Sequence, residues 1–134
     1  MLKKVSIGDI HAGIKDKIEK KTGLKAYDVV PDDEPNPLVV IQAIGKQDDS
    51  TKTMYIEDFK FYIHAICEGN TSENIYNLIQ KVEEALTEPI DLEGESWLVS
   101  QTQDGVLQIL TEDTGEKHAV LQYSLKVCYG FKCK

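Results

Sequence analysis

The run MYIEDFKFYIHAIC, Met54 to Cys67, constrains this chain more than any other stretch. Phe59, Phe61, Ile63, Ala65 and Cys67 occupy alternate positions in it. Successive side chains of a strand point to opposite faces, so the spacing predicts one long strand with a wholly apolar face. Lys60, Tyr62, His64 and Ile66 give a mixed second face. An apolar sheet face has to be covered, and the chain supplies two covers. Ile7, Ile10, Ile14 and Ile18 recur at helical spacing, entered at Ser6 or Asp9 and closed by Gly23. Lys20 and Lys21 fall in the last turn, where the helix dipole favours cations. Ile75, Leu78, Ile79, Val82 and Leu86 form a second stripe. Thr71 or Ser72 can cap it, and Pro89 stops it.

Further strands surround this frame. LKAYDVV, Leu24 to Val30, reads as a short strand ended by Pro31. LVVIQAI, Leu38 to Ile44, is β-branched and almost wholly apolar, as expected of a strand buried on both faces. Gly45 and the polar residues behind it read as a loop. Beyond the second helix, SWLVSQTQ, VLQILTED and KHAVLQYSLKVCYGF read as three strands, with Thr114-Gly115 turning the final hairpin. Short loops between consecutive strands predict antiparallel pairing. The expected fold is α+β: a mainly antiparallel β-sheet with two α-helices packed on it, in the order α-β-β-β-α-β-β-β, with residues 1–134 as a single domain.

Charge and residue usage exclude several functions. The chain has 23 acidic and 15 basic residues, a net charge of −8, and no arginine. A phosphate-binding surface needs clustered Lys and Arg, and bidentate guanidinium recognition is ruled out. No apolar run approaches the ~20 residues that span a bilayer. The first residues lack a leader's apolar core, so the expectation is mature cytosolic sequence. Three cysteines, Cys67, Cys128 and Cys133, predict reduced thiols.

No catalytic or metal constellation emerges. His11, His64 and His118 lie far apart in sequence, with no partner at ligand spacing. His64 and Cys67, three apart on a strand, point to opposite faces and so form no nucleophile–base pair. DDSTKTMYIED lacks the alternating oxygen ligands of a calcium loop. Trp97 is expected to pack inward. No cofactor is expected, and the expected role is non-enzymatic. A small-molecule or peptide-binding module is the alternative.

One junction remains. In AYDVVPDDEPNPLVVIQAIG a strand ending Val29-Val30-Pro31 is followed by the acidic turn Asp32 to Asn36, then by Pro37-Leu38-Val39-Val40-Ile41, ending at Gly45. This pattern resembles the tail-completion and tail-to-head joining (tail terminator-like) proteins of long-tailed bacteriophages, the siphophages. Leu38 stands where that family commonly has an aromatic residue. The order of elements along nearly the whole chain is similar as well.

The resemblance implies a structural virion protein at the head–tail interface, assembled in the host cytoplasm. It implies a ring, commonly hexameric and monomeric when free, that completes the tail and docks to the capsid connector. Tail tube and connector proteins would be its partners. DNA would pass through without specific binding, and no membrane is involved. An acidic lumen would keep DNA from adhering. Ring closure needs different patches on neighbouring subunits. The candidate contacts are the polar loop Gln47, Asp48, Asp49, Ser50, Thr51, Lys52 and Thr53, the hairpin tip Asp113, Thr114, Gly115 and Glu116, and the sheet edge.

Overall fold

The computed structural model describes residues 2–29, 37–69, 72–112 and 114–132. Along the chain run α1 (Ile7–Thr22), β1 (Ala26–Tyr27), β2 (Leu38–Asp48), β3 (Met54–Cys67), α2 (Glu73–Ala85), β4 (Trp97–Thr111) and β5 (Lys117–Phe131). The strands form one sheet in the order β1-β2-β3-β5-β4. The α+β class holds, with one strand fewer than expected.

α1 begins in a capping box. Ser6 Oγ accepts from the Asp9 amide at 3.0 Å, and Asp9 Oδ2 accepts from the Ser6 amide at 3.2 Å. Gly23, at φ 75°, closes it in the left-handed conformation. Ile10, Ile14 and Ile18 are fully buried, whereas Ile7 is exposed, so the buried stripe is the i, i+4 series alone. α1 packs on β1 and β2, α2 packs on β3 and β5, and the helices touch each other. Gly13 lets the segment after α2 pass close to α1, since a Cβ would lie 3.0 Å from Ile90 Cδ1.

The long alternation of β3 appears as expected. Phe59, Phe61, Ile63, Ala65 and Cys67 are buried beneath the helices, beside Leu121, Tyr123, Leu125 and Val127 of β5. On the other face Leu38, Val40 and Ile66 form a small separate cluster with Tyr27. Thus β2 is buried on both faces only over Leu38–Ile41; Gln42, Ala43 and Ile44, expected to be buried with them, are exposed.

Three expectations need correction. The first strand covers only Ala26–Tyr27, and it pairs parallel to β2 through Ala26–Val39 and Tyr27–Val40. A hairpin needs only about two to five loop residues. The segment 28–37 is long enough to carry the chain back and start β2 in the same direction. Pro31 and the turn Asp32 to Asn36 lie outside the described residues; Pro37 immediately precedes β2. Second, β2 does not stop at Ile44. It runs to Asp48 across a bulge at Ile44, so Gln47 and Asp48 are strand residues. Third, SWLVSQTQ and VLQILTED are one strand. Asp104-Gly105 looks like a turn in sequence but forms a bulge: Gly105 takes φ 136°, and Asp104 Oδ2 accepts from Ser124 Oγ on β5. Gly115, at φ 87°, donates its amide to the Glu112 carbonyl at 2.9 Å and makes the expected turn. Asp113 lies outside the described residues.

Candidate functional site

β4 is the edge of the sheet, and its extensive contacts are with β5 alone. It is 15 residues long and carries a single charge, Asp104. Edge strands usually carry lysines, prolines or a covering element that prevents pairing with another chain. β4 has three bulges, at Val99, Asp104 and Leu107, yet it leaves Trp97, Val99, Val106, Leu107, Ile109 and Leu110 exposed. Trp97 is 45% exposed, which corrects the inward packing expected of it. Bulging pushes Val99 and Leu107 out of the pleat. Val106 and Ile109 belong to the helix-side face but lie outside the cover of α2. An apolar edge of this length is a candidate association surface.

Two glutamines fasten the strand from its helix side. Gln101 Nε2 donates to the carbonyls of Leu86 at 2.8 Å and Glu88 at 2.9 Å, and its Oε1 accepts from the Ile90 amide at 2.9 Å. Those groups include carbonyls left over at the end of α2. Gln103 Nε2 donates to Glu83 at 2.7 Å.

Beyond the cluster of Leu38, Val40 and Ile66, the face away from the helices carries paired polar groups. Lys60 bridges Asp58 at 3.1 Å and Ser124 Oγ at 2.7 Å, and Lys126 pairs with Asp49 at 2.9 Å. This face also holds a contact the sequence hid. His64 Nδ1 lies 2.8 Å from His118 Nε2, and His64 Nε2 lies 2.7 Å from Gln42 Oε1. His118 Nδ1 is 3.7 Å from Glu112. Burial pushes the His64 imidazole below its ordinary value, and the neighbouring His118 adds to the effect. The two histidines are 54 residues apart, so only the β3–β5 register brings them together. Cys67 lies in the main core on the opposite face from His64, as its spacing required, and burial raises its thiol. Among the described residues no group of three or more His, Cys, Asp or Glu side chains could hold a metal, and no helix is long and apolar enough to cross a membrane.

A second knot holds the helix-side end of the sheet. Glu57 is buried, accepting from Tyr129 Oη at 2.6 Å, with Lys4 at 3.5 Å and Lys46 at 3.6 Å. The Val5 amide donates to the same Tyr129 hydroxyl at 3.1 Å. Burial and the Glu57 bond hold that hydroxyl well above the usual phenol range.

The two loops expected to make contacts are not neighbours. Met54 pairs with Phe131 at one end of β3, and Cys67 pairs with Lys117 at the other. Residues 49–53 therefore lie at the first end, and Thr114, Gly115 and Glu116 lie at the second. Fourteen residues at about 3.3 Å each put the ends on the order of 40 Å apart. The first loop is internally tied. Ser50 Oγ donates to Asp48 Oδ1 at 2.5 Å, the Asp49 amide reaches the Ile56 carbonyl at 2.8 Å, and the Thr51 amide reaches the Met54 carbonyl at 3.0 Å.

The described residues thus form a two-helix α+β subunit with an exposed apolar edge strand. The particular kind follows from comparison: residues 1–134 match the family described as "Putative tail termination protein", and the chain belongs to this phage tail terminator family. It is a structural protein of a phage tail, and its place is in the virion. A chain from the virion of a native gene transfer agent particle has a similar fold, with a TM-score of 0.69 at 18% identity, covering 90% of this chain and 96% of that one. No curated protein matches the sequence.

Proposed function

We propose that the protein closes the head-proximal end of the tail and joins it to the capsid connector, as a hexameric ring through which DNA passes. The role is structural and non-enzymatic. The observation that carries this reading is a whole-chain match to tail terminators combined with a nearly charge-free edge strand. A ring between two partners needs contacts on both of its ends. The loop 49–53 and the hairpin tip Thr114 to Glu116 sit at opposite ends of the sheet, which suits one to the tail tube and the other to the connector.

The acidic-lumen idea takes a narrower form. Asp58 and Asp49 on the open sheet face are each paired with a lysine. The stretch from Glu83 to Glu95 holds Glu83, Glu84, Glu88, Asp91, Glu93 and Glu95 with no lysine among them, and Lys21 of α1 bridges Glu88 at 2.8 Å. Repulsion of DNA would come from that segment facing the channel rather than from the sheet.

Electron microscopy of lysate from a phage lacking this gene tests the function. Filled capsids and finished tails lying apart would support joining. Overlong tails would support termination alone. Normal particles would refute both.

A further inference from the structure

We infer that, in the assembled protein, β4 of one copy pairs antiparallel with the free half of β2, Gln42–Asp48, in the next copy. The inference rests on the ring proposed above and adds which surfaces meet. Among the described residues the sheet has two open flanks. β1 pairs with β2 only at Val39 and Val40, so the rest of β2 has no strand on its outer side among the described residues. β4 is the other flank.

Direction favours the pairing. β2–β3, β3–β5 and β5–β4 are all antiparallel, so β2 and β4 run in opposite senses. Setting the β4 flank of one copy against the β2 flank of a second copy in the same orientation gives an antiparallel ladder. Repeating that operation produces a head-to-tail assembly, the kind that closes into a ring.

Most rows of the segment are compatible. The register carries Gln42 through Tyr62 and Gln122 to Gly105, Lys46 through Phe59 and Leu125 to Gln101, and Gln47 through Asp58 and Lys126 to Ser100. Extending the sheet at constant height puts Gln42 beside Gly105, Gly45 beside Thr102, Lys46 beside Gln101 and Gln47 beside Ser100, with no like charges opposed; Ala43 falls beside Gln103 and Asp48 beside Leu98.

A two-fold pairing of β4 with itself fits less well. Asp104 is the midpoint of Trp97–Thr111, so centred strands would set two carboxylates opposite each other. Like charges in that position destabilise a sheet. The β2 flank would also stay open.

Gln47 and Ser100 share one row on the open face, through Asp58 and Lys126. The test is oxidative cross-linking of Q47C/S100C in a C133S background, on protein assembled on tail tubes or concentrated until rings form. The expected result is a non-reducing ladder of multimers from the double variant and none from either single variant. Rings without a ladder would overturn the edge pairing while leaving tail termination standing. Dimers from S100C/Q108C, with β2 unaltered, would overturn it in favour of the two-fold arrangement. Normal tails in the gene-deleted phage would instead remove the reading beneath it. Amide hydrogen exchange on the unmodified protein gives an independent readout. Assembly should slow exchange at least tenfold along both β4 and Gln42–Asp48, and protection of only one of them refutes the pairing.

Discussion

Replacing Gln101 with alanine should destabilise the fold far more than a polar residue on an edge strand normally would. The side chain makes three hydrogen bonds, to the carbonyls of Leu86 and Glu88 and from the amide of Ile90. Each such bond contributes about 0.5–1.5 kcal/mol net. The site is only part-buried, so water replaces some of the loss, and ~2 kcal/mol in total is expected. With a urea m-value of about 1–3 kcal/mol/M, the midpoint should fall by ~1 M at unchanged m. Q101E should be worse near neutral pH, because a carboxylate cannot donate and would face two carbonyl oxygens. Gln108, exposed on the same strand, is the control; Q108A should stay within about 0.5 kcal/mol. If Q101A and Q108A shift the midpoint equally, the three bonds do not hold β4 to the end of α2, and the placement of the edge needs another explanation.

Three other outcomes follow. F59A, at a side chain with no exposure in the centre of the core, should cost about 3–5 kcal/mol by denaturation. Stability should fall as pH drops through the ordinary histidine value of 6.5 and continue falling until His64 is protonated in the folded state, because burial and His118 lower its folded value and the unfolded chain binds the proton first; H64Q should flatten that slope in urea midpoints measured from pH 8 to pH 5. I109K, at a half-exposed edge position, should change stability by no more than about 0.5 kcal/mol yet abolish assembly, as read by light scattering and by complementation of the gene-deleted phage.

The helices, the central strand and the class of fold were legible because each rests on a local period. Ile10, Ile14 and Ile18 repeat every four residues; Phe59, Phe61, Ile63 and Ala65 repeat every two. The errors came where one local signal met a longer-range constraint. Asp104-Gly105 has turn composition, but pairing with β5 absorbs it as a bulge. Ala26–Tyr27 reads as the first of three antiparallel strands, but the length of segment 28–37 allows a parallel return. Trp97 reads as core because tryptophan usually is, yet it begins the edge strand of the sheet and is exposed there. The candidate edge left a trace in the sequence: SWLVSQTQDGVLQILT holds one charge. That run becomes informative only once the sheet order makes it an edge. The meeting of His64 and His118 left no such trace, since register alone creates it.

The central position of β3 also governs how the protein comes into being. Its partner on one side, β2, is a near neighbour in the chain, but Met54 to Cys67 pair with β5 residues roughly 50 to 80 positions later. A growing chain can form α1 and the β2–β3 hairpin early, yet β5 and β4 must both be made before the sheet is complete. Until then Phe59, Phe61 and Ile63 present bare hydrocarbon along a flank with no partner, a form prone to clumping with other nascent copies. Synthesis at reduced temperature, or with chaperones in excess, should therefore raise the yield of native protein more than any change made to the finished surface.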